Sequence, residues 1–234
     1  MPDLSETSPS YRAGAGIYDL FSRCEDAPGM VAAALLPMAS GRSVLDLGCG
    51  TGKYCAALAP VPRSVVGLDQ SPDQLRLARA GCRTAGNVCF AAADACRTPI
   101  APVSVDLAVA CWVLGTILDT DRRQAALDGM AAAVRPGGRL VLVENGEGGE
   151  FEDLRGRAGG TDGPTRRYNA WVEAAGFRPA AVFDSWFAFE SAAQSRAVFT
   201  AIWGEQLRGM PAGARVDHRI VLYVMDLPHA RGAV

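Results

Sequence analysis

Short apolar runs bounded by turn-forming residues recur along the chain and alternate with longer stretches of helical spacing. Ser43–Leu47, Ser64–Leu68, Val88–Ala91, Val105–Ala110 and Arg139–Glu144 have the length and composition of buried strands. Thr51–Ala59 has helical composition, and Ser71-Pro72-Asp73 opens a second helix carrying Leu75, Leu77 and Ala78, which Gly86-Asn87 is expected to end. Asp119 or Thr120 caps a third that runs to Val134, with Leu127, Met130, Ala131 and Val134 on one face and Arg135-Pro136-Gly137-Gly138 as its stop. Strands and helices taking turns in this way imply a parallel sheet.

Beyond residue 144 the pattern is less regular. Asn145 to Pro164 holds seven glycines and several charges and reads as a mobile loop or short lid. Thr165–Ala175 reads as a helix closed by Gly176, Phe177–Phe187 as a strand, and Arg219–Met225 as the last strand. Between those strands Phe189–Leu207 is helical, with Phe199, Ile202, Trp203 and Leu207 on one face. At the other end Ser10–Arg23 reads as an amphipathic helix covering the domain.

Composition narrows the function classes. The chain has 234 residues, 49% of them hydrophobic, enough for one α/β domain with a sizeable core. No stretch approaches about 18 consecutive apolar residues, so no membrane partner is expected. The net charge is −2 and basic residues cluster no further than the pairs Arg122-Arg123 and Arg166-Arg167, which argues against nucleic acid. The first ten residues are polar and lack an apolar signal core, so a cytoplasmic location is expected. Seven cysteines without a C-x-x-C pair read as reduced, buried thiols, and with only His218 and His229 as imidazoles no metal site is expected.

Candidate chemistry begins where the first strand stops. Val44-Leu45-Asp46-Leu47-Gly48-Cys49-Gly50-Thr51-Gly52 places three alternating glycines in a strand-to-helix turn, where open α/β sheets bind ligands. A dinucleotide fingerprint would be G-x-G-x-x-G; here the third glycine comes one residue early and Asp46 lies inside the strand. Asp69, at the end of the second strand, stands where nucleotide sites place a ribose-binding carboxylate.

The run V-L-D-L-G-C-G-T-G resembles the first motif of the class I S-adenosylmethionine-dependent methyltransferases, and R-P-G-G-R-L-V-L-V-E is similar to the family's approach to its fifth strand. The resemblance implies a doubly wound, mostly parallel seven-stranded sheet flanked by helices, with an N-terminal cover helix and a helical insertion before the last strand. It implies one domain: residues 1–40 as helical cover, 41–145 as cofactor-binding core and 146–234 as the part that sets substrate specificity. It assigns S-adenosylmethionine to Asp46, Gly48, Cys49, Gly50, Gly52, Asp69, Gln70, Asp94, Ala95, Cys111 and Trp112, with Tyr18 closing over it.

The family has no universal catalytic residue, because methyl transfer depends mainly on positioning and water exclusion. Glu144, Tyr18 and His218 are the catalytic candidates. Tyr11, Asn145, Tyr168, Trp186 and Trp203 are the candidates for lining an acceptor pocket. Trp203 by its spacing also suits the core, and Glu144 and His218 equally suit a strand-end carboxylate and a surface imidazole. The expected function is methyl transfer to a small-molecule oxygen, nitrogen or carbon nucleophile in secondary metabolism, with a homodimer as the expected assembly. The alternatives are a non-catalytic cofactor-binding subunit, which would need an added protein for activity, and a nicotinamide-dependent oxidoreductase, which would bind NAD.

Overall fold

The computed structural model describes residues 13–157 and 162–229. Strand β1 (Ser43–Leu47) pairs in parallel with β2 (Ser64–Asp69) on one side and β4 (Val105–Cys111) on the other, and β2 pairs in parallel with β3 (Val88–Ala92). With β5 (Val134–Asn145), β6 (Arg178–Ala188) and β7 (Arg215–Asp226) they form a seven-stranded sheet ordered β3-β2-β1-β4-β5-β7-β6. Gly146 N–H donates to the Arg219 carbonyl and Leu227 N–H to the Gly138 carbonyl, so β7 runs antiparallel to β5. The expected mostly parallel, doubly wound α/β fold is present.

The chain divides into two compact units, and the boundary falls inside both β5 and β7. The first comprises residues 32–142 and 224–229. Strands β1, β4 and β5 are buried on both faces, with the neighbours Val44 and Leu45, Leu107 and Ala108, and Val141 and Leu142 closed off from solvent, which is why they read as apolar runs; β3, at the sheet edge, has no buried residue. The helices of this unit are most of α2 (Met30–Ala39), then α3 (Lys53–Leu58), α4 (Pro72–Gly81) and α5 (Thr120–Ala133). Ser71 Oγ accepts from Gln74 N–H and Asp119 Oδ1 from Arg122 N–H, so the expected N-caps of α4 and α5 are made.

Two boundaries differ from the sequence expectation. Helix α4 stops at Gly81, five residues before Gly86, with Cys82 as its C-cap. Helix α5 stops at Ala133, and Arg135-Pro136-Gly137-Gly138 is no separate turn but the start of β5. Gly137 reaches φ +77 there, and its N–H donates to the Pro228 carbonyl, so backbone pairing beyond β7 draws the Pro-Gly-Gly run into the sheet.

The second unit comprises residues 13–31 and 143–223. Here α1 (Ala15–Cys24) supplies Phe21, whose ring lies 4.9 Å from Phe187 of β6. Phe151, Phe199 and Trp203 complete an aromatic core, the last two from α8 (Ala192–Trp203), which is the expected insertion before the final strand. The Asn145–Pro164 stretch is not simply a loop. It contains α6 (Glu150–Leu154), whose Phe151 and Leu154 are buried in that core. Helix α7 (Pro164–Ala174) follows. No helix among the described residues is long and apolar enough to cross a membrane.

Candidate functional site

In the first unit the chain leaves β1 through three left-handed glycines, Gly48, Gly50 and Gly52 at φ +69, +55 and +81. Two of them have no room for a side chain. A Cβ on Gly48 would lie 2.5 Å from Val113 Cγ2, and one on Gly52 would lie 2.9 Å from Ala78 Cβ. The loop is braced from β2: Asp69 Oδ2 accepts from Gly50 N–H at 2.9 Å, and Asp69 Oδ1 accepts from Ser71 N–H at 2.8 Å. Each carboxylate oxygen can accept more than one hydrogen bond, the chemistry that a ribose-binding carboxylate requires.

Asp46 is 2% exposed and accepts from the Cys55 thiol at 3.1 Å. Its burial, opposed by the Cys55 hydrogen bond and assisted by the Asp69 carboxylate, pushes the carboxyl up to about 7. Among the described residues no cationic side chain forms an ion pair with Asp46. A positively charged ligand group is what this carboxylate lacks.

Around the loop stand the other expected contacts. Asp94 caps the short turn Ala95–Arg97 through Cys96 N–H and pairs with Arg122 at 3.3 Å, so one of its oxygens faces a cation. Gln70 is half-buried directly after Asp69, and Cys111 ends β4. Trp112 follows at φ +54, a conformation rare for a bulky residue, with its ring stacked on Tyr54 at 6.2 Å. Cys49 is half-buried, Cys24, Cys55 and Cys82 are buried, and Cys89 is exposed, so the thiols are less uniformly interior than expected.

The second unit gathers a different set. Tyr168 O–H donates to Glu144 Oε1 at 2.7 Å. His218 Nε2 lies 2.8 Å from Asn145 Oδ1, and His218 Nδ1 lies 3.4 Å from Glu25 Oε1. His218 is 2% exposed and sits within β7 rather than before it, its ring between Phe151 and Phe187. It is thus an interior group, not the surface imidazole its position suggested. Glu144 and Asn145 are consecutive on β5 and point to opposite sides, which is why they find different partners.

The remaining candidates separate. Tyr18 is half-buried with its ring 6.5 Å from Phe21. Trp203 belongs to the aromatic core, and Trp186 lies under the Arg215 guanidinium at 4.0 Å. Tyr11 lies outside the described residues. Glu25 was not anticipated; a carboxylate just beyond α1 gives no local signal that it will meet an imidazole from β7.

Residues 44–138 match the family model described as a methyltransferase domain. Residues 44–138 thus form a methyltransferase domain of the class I S-adenosylmethionine-dependent type. The chain is 32% identical over 158 residues to methyltransferase GfsG of Streptomyces halstedii, a match that covers 65% of the chain and 51% of that protein. It is 39% identical over 113 residues to O-methyltransferase cnsE of Penicillium expansum, covering 47% of the chain and 40% of that protein. The chain thus spans about half or less of the length of these curated relatives. Among solved structures, the YcgJ protein of Bacillus subtilis superposes with a TM-score of 0.62 at 15% identity, over 86% of this chain and 99% of that one.

The family's cofactor is S-adenosylmethionine, and the residues of the first unit fit it. A turn too tight for side chains at Gly48 and Gly52 permits close backbone approach. Asp46, buried without an ion-pair partner among the described residues, suits the cofactor's charged amino acid end, and Asp69 suits the ribose hydroxyls.

Proposed function

We propose that this methyltransferase transfers the methyl group of S-adenosylmethionine to an oxygen of a small-molecule acceptor in secondary metabolism. The observation that carries this reading is the joining of Gly50 N–H to Asp69 beside the buried Asp46, a loop built around a cofactor with both a ribose and a cationic end. The choice of oxygen is supported by the printed name of the fungal relative, an O-methyltransferase.

When bound, the cofactor supplies a methyl group on a positively charged sulfur, open to in-line displacement. The chain's own task is to hold the cofactor, orient the acceptor and manage one proton. Glu144 is the proposed proton acceptor, with Tyr168 O–H fixing one of its oxygens, while Asn145, oriented by His218 and Glu25, is proposed to position the acceptor. In this reading the segment after residue 145 supplies the acceptor specificity.

The test is methyl transfer by the purified chain alone, from labelled S-adenosylmethionine to a panel of phenols, carboxylic acids and amines, alongside calorimetry with S-adenosylhomocysteine and NAD. Binding of S-adenosylhomocysteine with transfer to an oxygen supports the proposal. Binding of NAD in its place, or transfer that requires an added protein, overturns it.

A further inference from the structure

The turn that leaves α6 carries two guanidiniums, Arg155 and Arg157, that pair with no carboxylate among the described residues. Among the described residues neither side chain makes an ion pair or a hydrogen bond, although both are half-buried. The Arg155 guanidinium lies over the rings of Phe151 and Trp203, at 4.8 and 5.4 Å, so aromatic faces hold its plane without using its N–H donors.

The carboxylates nearby are committed elsewhere. Glu25 meets His218, Glu152 accepts from Gly148 N–H, and Glu144 accepts from Tyr168. Burial, with repulsion from Arg157, lowers Arg155 to about 9 against the opposing pull of Glu25 and Glu152; Arg157 is lowered by the same desolvation, against Glu152 and Glu144. Two cations close enough to repel, desolvated and still reachable, are stabilised by an anion placed between them.

A third arginine adds to the same turn. A Cβ on Gly156 would lie 2.8 Å from Arg208 Cγ and 3.0 Å from Arg208 Nε, so the Arg208 stem rests on the residue separating Arg155 from Arg157. Its own backbone N–H donates to the Leu154 carbonyl at 2.8 Å, which pins the arginine to the end of α6.

We infer that Arg155 and Arg157, with Arg208 at their edge, form an oxyanion subsite that receives a carboxylate or phosphate group of the ligand. The planar guanidinium fork matches either group in a bidentate fashion. The inference deepens the proposed function, on which its identification as an acceptor subsite rests: the methyl acceptor bears an anionic group apart from the oxygen that is methylated. No covalent step occurs at this site.

The experiment uses the full chain and two probes, inorganic phosphate and succinate, titrated calorimetrically into the wild type, Arg157→Gln and Arg155→Gln. Arg157→Gln keeps the aromatic core intact, whereas Arg155→Gln removes a cation packed on it, so the first variant protects the test against misfolding. S-adenosylhomocysteine affinity is measured on every protein, and its retention separates this site from the cofactor reading. The expected result is probe binding by the wild type that weakens about tenfold or more in Arg157→Gln, with S-adenosylhomocysteine binding unchanged. Preference for one probe assigns the group as phosphate or carboxylate. Absence of binding by either probe, or equal binding by wild type and both variants, overturns the subsite.

Discussion

The thiol of Cys55 donates to the carboxylate of Asp46 at 3.1 Å, and both groups are buried. That single neutral donor is a weak match for a carboxyl pushed from 3.8 up to about 7. Because the folded-state value is raised, the native state holds a proton that the unfolded chain releases between those two pH values. The contribution of Asp46 to stability is therefore greatest below about 3.8, falls as pH rises, and reaches its full penalty above about 7, at most roughly 4 kcal/mol. Urea denaturation of the cofactor-free protein should show Asp46→Asn gaining on the wild type as pH rises from about 5 to about 8. The same variant should bind S-adenosylhomocysteine more weakly. Parallel pH profiles for the two proteins would refute the buried, uncompensated carboxyl.

Asp69 spans the loop and the ribose position at once. Asp69→Ala removes the acceptor of Gly50 and Ser71 N–H and should weaken S-adenosylhomocysteine by about 1 to 3 kcal/mol, read by calorimetry. Unaltered affinity would remove the ribose assignment.

Gly52 combines φ +81 with Ala78 Cβ at 2.9 Å and Ala78 Cα at 3.1 Å from any added Cβ. Gly52→Ala should cost about 1 to 3 kcal/mol in chemical denaturation, because the neighbour on α4 is backbone and has little room to give. A variant as stable as the wild type would contradict the close loop-to-helix packing.

Tyr168→Phe removes the hydroxyl that donates to Glu144 and keeps the ring stacked on Trp171. We expect a loss of about 1 to 2 kcal/mol in stability, a reduced kcat and an unchanged affinity for S-adenosylhomocysteine. If kcat is retained, the Tyr168–Glu144 pair is structural only.

Legibility in the sequence followed burial. Strands β1, β2 and β4 are enclosed on both faces, so each reads as one apolar run with ends correct to a residue, and Ser71 and Asp119 carry their caps locally. The Pro-Gly-Gly run before Arg139 misled because its extended path depends on Pro228 and Leu227, which lie almost a hundred residues later. Helix α6 was missed for a similar reason: five residues rich in acid between glycines become helix because Phe151 and Leu154 fit a core contributed by α1, β6 and α8. The cofactor loop announced itself through glycines whose conformation is a backbone property. The partnerships Glu25–His218 and Tyr168–Glu144, and the lack of an ion pair at Arg155 and Arg157 among the described residues, depend on tertiary neighbours and leave no local trace.

The contact between Phe21 and Phe187, with Phe199 beside them, also sets an order of events during synthesis. Helix α1 is translated before every strand of the sheet, whereas Phe187 and Phe199, the rings it packs against, follow only after β1 to β5. Until then its apolar face has no home, and closing so long a loop is slow compared with forming a local βα unit. The βα units of the first unit should therefore form while the chain is still being translated, and helix α1 should be the piece most in need of chaperone protection in the interval.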